Sequence, residues 1–487
     1  MAALVLATAS AMLRYWSLAQ TSFSNGWDSY FYLVQLKSLE ETGKMHSPDA
    51  SIIYPYLRLL YWLTGDYVMT LKVGTALLCA LWTAVMWRMG GFVLAAWSVF
   101  SPHLVYFAAQ YPKNLLGVVL LVAFIGTLEH RPRGGLRKPL HWLFPLLLLL
   151  LNYFGHRLTF VLALAYLVLW LVGTWKPVPT RLIFSRKKVL VAGAAIGVFM
   201  LVGRFFPGLF HVVDLGRLKG AWAWPPQFAP YSFVAHFGLE RISGWWLAEI
   251  GVVTGCWLWS LIHGAREKFE PLSPVRVNGS LVILSALLLF PFLEWSFTGV
   301  AWRLFLVFVL LTPLSVIGFQ ILENRRSGLV FVTIMLCCSL FSWKTYSPKM
   351  HDPDYSRFSF ITEQAQAVLK EKQVELVIAH NALAEFFTYT TGADAMPWLP
   401  EYEVDSLRLW RIATGASLQA LRYYAGANSG TIKPLGYGYF MLPEYVWQAA
   451  RRQAKHERDE YFLTETTDWR NPSRIRPSWL LHRKRTH

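Results

Sequence analysis

Apolar runs of roughly 15–20 residues, the length that crosses a bilayer, recur along residues 1–343 of this chain. We read about eleven, near 2–18, 68–87, 91–108, 115–128, 142–154, 158–175, 189–203, 246–263, 279–296, 302–321 and 329–343. The first has no basic segment before it and reads as an uncleaved span rather than a signal peptide. Past residue 343 the pattern changes. Residues 344–487 hold 19 Lys and Arg and 16 Asp and Glu, against 27 and 13 in residues 1–343. There Val374 to Ala379 reads as a buried strand and Ala382 to Thr390 as the helix after it. The expected fold is therefore a polytopic α-helical membrane protein with about eleven transmembrane helices (residues 1–343) and a C-terminal external α/β domain (residues 344–487).

Composition agrees with the pattern. Of the 487 residues, 55% are hydrophobic and 15% charged, a balance foreign to soluble domains. Many of the 23 Trp lie near the ends of apolar runs, where aromatic belts meet the lipid–water boundary. The formal net charge is +17. Its distribution argues for membrane topology and against nucleic acid. Four basic segments, 130–138, 176–188, 266–276 and Arg325-Arg326, fall on one side of the eleven-span arrangement. The positive-inside rule makes that side cytoplasmic. The external side then receives the loops near 19–67 and 204–245, three short turns and the C-terminal domain. Cys79, Cys256, Cys337 and Cys338 all sit in apolar runs, with neither metal-ligand nor disulfide spacing.

Topology narrows the candidates for chemistry. Of the 13 carboxylates in residues 1–343, nine fall outside or near the outer surface: Asp28, Glu40, Glu41, Asp49, Asp66, Asp214, Glu240, Glu249 and Glu294. The first external loop is the richest. Gly26-Trp27-Asp28-Ser29-Tyr30-Phe31-Tyr32 places one carboxylate among aromatic rings, and Tyr30 to Lys37 reads as an interfacial amphipathic helix ended by Thr42-Gly43-Lys44. Asp49 follows, then Ser51 to Pro55. Asp28 precedes a helix start, so the pattern alone fits a helix N-cap as well as it fits a catalytic acid or base.

This arrangement resembles the GT-C superfamily of membrane glycosyltransferases, which take a sugar from a polyprenyl-phosphate carrier on the external face. Their acidic motif directly follows the first span, the position of Asp28 to Tyr32 here. The stretch from Asp49 through Tyr54-Pro55 is similar to the first loop of the oligosaccharyltransferase catalytic subunit. Ser101 to Leu104 with Tyr111 to Gly117 resembles the superfamily's span-turn-span pattern. Asn152-Tyr153-Phe154-Gly155-His156-Arg157 resembles the turn where many members carry a His. The match covers roughly residues 1–175. It implies sugar transfer to a glycan, lipid or protein acceptor in a bacterial or archaeal cytoplasmic membrane, with inversion at the anomeric carbon.

One departure shapes the expected site. The oligosaccharyltransferase subunit has a second acidic motif after its third span. Here that turn is Gln110-Tyr111-Pro112-Lys113-Asn114, without a carboxylate. A divalent cation wants several oxygen ligands, so a metal is not expected and no other cofactor is implied. Instead each short external turn holds one basic residue, Lys113, Arg157 or Arg303. At headgroup depth these, with His156, are candidates to bind the carrier phosphate; snorkelling to lipid headgroups is the plainer alternative. Asp28 is then the expected base. Tyr30, Asp49, Tyr54, Glu240 and Arg241 are further substrate-binding candidates, the last two in the aromatic loop near 204–245. Two rival readings stay open: a lipid-linked glycan transporter or flippase, and a non-catalytic GT-C-like scaffold subunit.

Overall fold

The computed structural model describes residues 1–47, 49–129, 140–174 and 248–255, isolated positions between 258 and 363, and 376–379, 381–392, 394–396, 409–412, 438–442, 461–467 and 477–483. The spans expected near 189–203, 279–296, 302–321 and 329–343 lie outside these residues or at isolated positions within them. The chain forms two compact units. One comprises Met1–Ser22 and Ser47–Met350; the other comprises Phe23–His46 and His351–His487.

The first unit is helical: α1 (Ala2–Leu18), α3 (Ile53–Thr64), α4 (Tyr67–Phe100), α5 (Pro102–Gln110), α6 (Pro112–Glu129), α7 (Leu140–Gly155) and α8 (Arg157–Thr174). Among the described residues, α4 and α6 are long and apolar enough to cross a membrane; α1, α7 and α8 contribute shorter apolar stretches. The helix α3 falls within the stretch expected as the external loop near 19–67. Proline is tolerated in a first helical turn, where no intrahelical acceptor awaits its missing N–H. Pro55 is the third residue of α3. Gly65 then ends the helix in the left-handed conformation, with φ 68°. Asp66 starts α4 by accepting the Met69 N–H at 2.6 Å.

Two apolar runs separated in the sequence are joined here. Helix α4 runs through Gly90 and Gly91, where it kinks; Gly91 has φ 65° and ψ −152°, a conformation open in practice only to glycine. The next interruption falls at Ser101. The residue before a proline is held out of the helical region, and Ser101 has ψ 117°. Its hydroxyl accepts the Leu104 N–H at 3.3 Å and begins α5, with Pro102 at the first helical position.

A broken helix exposes carbonyls at one end and amides at the other. Here both ends are satisfied by buried polar side chains. From α1, Arg14 Nη2 donates to the carbonyls of Ser98 at 3.2 Å, Val99 at 2.9 Å and Ser101 at 3.2 Å. From the helical stretch at 248–255, Glu249 accepts the His103 N–H at 3.1 Å and the Ser101 hydroxyl. A cation at a helix C-terminus has the favourable sign. Arg14, Ser101, His103 and Glu249 are all buried. Glu249, one of the nine carboxylates placed outside or near the outer surface, is a buried cap.

The second unit contains α2 (Ser29–Thr42), β1 (Leu376–Ala379), α9 (Asn381–Thr391), β2 (Asp394–Met396), β3 (Leu409–Ile412), β4 (Gly438–Leu442), β5 (Tyr461–Thr467) and β6 (Pro477–Arg483). The strands form one sheet in the order β2-β1-β3-β4-β6-β5. The first four are mutually parallel, whereas β6 runs antiparallel to both β4 and β5. Helix α9 connects the parallel pair β1 and β2 and packs against both strands and against α2. Gly43, with φ 72°, ends α2.

Candidate functional site

The predicted site residues that the structure describes are divided between the two units. In the first, α6 begins at Pro112 and carries Lys113 in its first turn. The α7–α8 turn carries His156 between Gly155 and Arg157. The segment before α3 crosses this turn and is fastened to it: the Ile52 N–H donates to the Phe154 carbonyl at 2.9 Å, and the Ser51 hydroxyl to the Gly155 carbonyl at 3.1 Å. This crossing delivers Asp49 to Lys113. Lys113 Nζ lies 2.8 and 2.7 Å from the two carboxylate oxygens, and the buried Tyr54 hydroxyl donates to Asp49 Oδ2 at 3.0 Å.

The result is a small open pocket whose lining includes Asp49, Ser51, Lys113, Tyr153, His156 and Arg157. Four sequence-predicted residues thus share one pocket, and Tyr54 braces it from beneath. Lys113 is solitary in its turn but not in space, because Asp49 supplies the carboxylate that the turn lacks. The cluster holds two cationic side chains against one carboxylate, at the electropositive start of α6.

Close packing fixes the pocket floor. Gly117 on α6 lies under the α7–α8 turn; a Cβ there would fall 2.4 Å from Thr159 Oγ1 and 2.5 Å from His156 Cβ. The Thr159 hydroxyl donates to Asn152 Oδ1 at 2.6 Å and to the His156 carbonyl at 2.8 Å, closing the turn on itself. Glycine at 117 is therefore what lets α6 and the turn approach closely enough to bring Lys113 and Arg157 to one pocket.

In the second unit, Asp28 occupies the N-cap position of α2, but its side chain makes no capping hydrogen bond. The N–H of Phe31, the third helical residue, is bonded instead by Glu385 of α9. Glu385 also feels the charge of Asp28. Burial, chiefly, and that neighbouring charge hold its carboxyl well above the ordinary carboxylate range. Among the described residues, no group of three or more His, Cys, Asp or Glu forms a metal-binding cluster.

Tyr30, a substrate-binding candidate, is buried. Its ring packs on Tyr355 at 4.8 Å, Phe386 at 4.8 Å and Tyr389 at 5.3 Å between centroids, and its hydroxyl accepts the Ser24 N–H at 3.5 Å. Burial pushes its phenol pKa up. The ring anchors α2 to α9 and Tyr355. Lys37 reinforces this docking by donating to the Tyr389 carbonyl at 3.1 Å.

Glu240, Arg241 and Arg303 lie outside the described residues. Glu385 was missed. It belongs to a segment distant in sequence from Asp28, and only one signal marked it: it is the single charged residue in the apolar helix Asn381–Thr391.

No protein-family model and no curated sequence matches the chain. The crystal structure of ArnT from Cupriavidus metallidurans bound to undecaprenyl phosphate does match, with a TM-score of 0.55 at 12% sequence identity, over 98% of this chain and 97% of that one. The chain therefore has the fold of ArnT, a GT-C glycosyltransferase.

Proposed function

We propose that this chain is an integral-membrane glycosyltransferase that moves a sugar from a polyprenyl-phosphate carrier to an acceptor hydroxyl. The observation that carries the reading is the convergence of Lys113, His156 and Arg157 on one pocket, in a fold whose ArnT representative binds undecaprenyl phosphate. Lys113 offers a point charge and Arg157 a planar fork of donors, the two ways side chains hold phosphate. The Asp49 carboxylate that Lys113 meets also accepts the Tyr54 hydroxyl. Arg303 completes the set on the sequence argument alone.

Asp28 is the proposed base. The acceptor O–H loses its proton to the Asp28 carboxylate as the oxygen forms a bond to the anomeric carbon. The bond from that carbon to the phosphate oxygen breaks, and its electron pair leaves with the lipid phosphate. Attack opposite the leaving group inverts the anomeric configuration. Cationic side chains at the leaving phosphate stabilise the charge that develops there. About eleven spans, with the site and the residues after 343 on the external face, complete the proposed topology.

Binding of undecaprenyl phosphate to the purified chain, compared with undecaprenol lacking the phosphate, tests the reading. The Lys113→Ala, Arg157→Ala double variant should lose tenfold or more in affinity for the phosphate form and little for the alcohol, about 1.4 kcal/mol or more. Equal affinity of wild type and double variant for the phosphate form would overturn the assignment of the pocket.

A further inference from the structure

Helix α3 has 12 residues, a reach of about 18 Å, too short to cross a bilayer core of about 30 Å. One of its faces is taken by α4. The Tyr56 hydroxyl donates to the Gly74 carbonyl at 2.7 Å, and a Cβ at Gly74 would fall 2.8 Å from Leu57 Cδ2 and 3.2 Å from Leu60 Cδ1. Leu57 and Leu60 are buried accordingly. Another face is apolar and open. Pro55, Leu59, Trp62 and Leu63 stand at the helical spacing i, i+4, i+7 and i+8, and all four are exposed. Leu59 is 58% exposed, Trp62 66% and Leu63 81%.

We propose that this open face lies in lipid: α3 is an interfacial helix, with its apolar side in the leaflet that receives the start of α4 and Arg58 among the headgroups. The proposal rests on the reading of the chain as an integral-membrane protein. A contiguous apolar face of this kind marks an interaction surface rather than a loop in water. Continuity with α4 names the partner. Only Gly65 and Asp66 separate α3 from α4, which is long and apolar enough to cross a membrane and itself exposes Met69, Leu77 and Leu81. The remaining side chains fit a lipid–water boundary. Tyr61 of α3 stacks on Tyr67 of α4, with ring centroids 4.4 Å apart and planes 5° from parallel. The guanidinium of Arg58, the only charged residue in α3, stands 5.8 Å from the Trp62 ring centroid. Trp, Tyr and Arg anchor helices at that boundary, and the single charge has the sign that anionic headgroups attract.

The sequence pattern points to Tyr30 to Lys37 as the interfacial helix of the first loop. That segment lies in α2, where Tyr30, Tyr32, Leu33, Val34 and Leu36 are all buried. The exposed apolar face belongs to α3 instead. Its position bears on the pocket. Ser51 and Ile52, just before α3, bond to the α7–α8 turn, and Tyr54 in its first turn donates to Asp49. The start of a lipid-facing helix is thus fastened to the Asp49 and Lys113 pair. A phosphate whose tail stays in the leaflet reaches that pair alongside α3, without leaving the membrane.

Nitroxide labels on the full chain, in vesicles of phosphatidylethanolamine and phosphatidylglycerol, test this. The background carries Cys256→Ala, Cys337→Ala and Cys338→Ala; Cys79 is buried and stays in place, out of reach of the label. Leu59→Cys and Leu63→Cys are labelled one at a time, with Leu81→Cys on α4 as the membrane reference. All three positions are exposed, so the labels displace no packed side chain. Collision rates are read with oxygen, which concentrates in lipid, and with a nickel chelate, which stays in water. At 59 and 63 collisions with oxygen should exceed those with nickel several-fold, as at 81. Nickel-dominated collisions at 59 and 63, with oxygen dominant at 81, would overturn the proposal and leave the integral-membrane reading standing. Nickel dominance at 81 would instead remove that reading. Low rates with both reagents at 59 and 63 would mean that protein, such as a second copy of this chain, covers the face, and would overturn the proposal as well.

Discussion

Lys113 Nζ and the Asp49 carboxylate, 64 positions apart in the chain, meet with both N–O distances under 3 Å, at 2.8 and 2.7 Å. The pair carries a consequence for ligand binding. An incoming phosphate meets Lys113 already engaged, with a carboxylate beside it. Asp49→Asn should strengthen binding of undecaprenyl phosphate several-fold by removing that repulsion, an effect that shrinks as salt screens it. Affinity measured at low and high ionic strength checks both parts. Weaker binding in Asp49→Asn would mean that the carboxylate is needed to hold Lys113 in place.

The packing under His156 makes a second prediction. Gly117→Ala puts a methyl group 2.5 Å from His156 Cβ, so the α7–α8 turn must move away from α6. Overpacking of this kind costs about 1–3 kcal/mol. The variant should unfold at lower temperature and bind undecaprenyl phosphate more weakly, although residue 117 itself offers no group to a ligand. Thermal unfolding and binding measured on the same preparation separate the two effects.

Removing one buried charge at the α4–α5 break should be costly. Arg14→Leu leaves the Ser98, Val99 and Ser101 carbonyls without their donor and leaves Glu249 without its neighbouring cation. Leaving a buried acceptor without its charged donor costs about 1–3 kcal/mol. Glu249→Gln, which can still accept from Ser101 and His103, should be much milder. Unfolding in a graded denaturant series distinguishes the variants; equal losses would show that charge, not hydrogen bonding, dominates at the break.

Asp28→Asn should reduce sugar transfer by at least 10²-fold, the scale of a lost general base, while the helix α2 remains docked. Transfer from a polyprenyl-phosphate-linked sugar in membrane vesicles is the direct measurement. Retained transfer would exclude Asp28 as the base and direct attention to the other carboxylates of the two units.

Local order was largely legible in the sequence. The Gly43 stop of α2 and the starts of α6 and α8 near Pro112 and Arg157 follow from glycine and proline chemistry. These act over a few residues and leave their mark in the chain itself. The runs near 68–87 and 91–108 read as two separate spans, whereas the structure carries one helix across Gly90-Gly91 and breaks it at Ser101-Pro102. Helix α3 was illegible because Pro55 marks either a loop or a first helical turn, and only its packing distinguishes the two. Lys113, His156, Arg157 and Asp49 of the pocket were candidates in the sequence, but their pairing was not legible there. Nothing in the spacing says that Asp49 reaches Lys113, since that depends on Ser51 and Ile52 bonding to the α7–α8 turn.

The role of Asp28 shows the same division. Its sequence position determined that it stands at the start of a helix, because a short polar side chain before an apolar aromatic run is a local signal. Whether that carboxylate caps the helix depended on a competitor brought by the fold. Glu385 comes from a helix more than 300 residues further along the chain, and only tertiary structure sets its carboxyl against the Phe31 N–H. Local sequence specifies which backbone groups are left unsatisfied at a helix end; which side chain satisfies them is decided by long-range packing, where burial and neighbouring charge also set the protonation state of the group that does so.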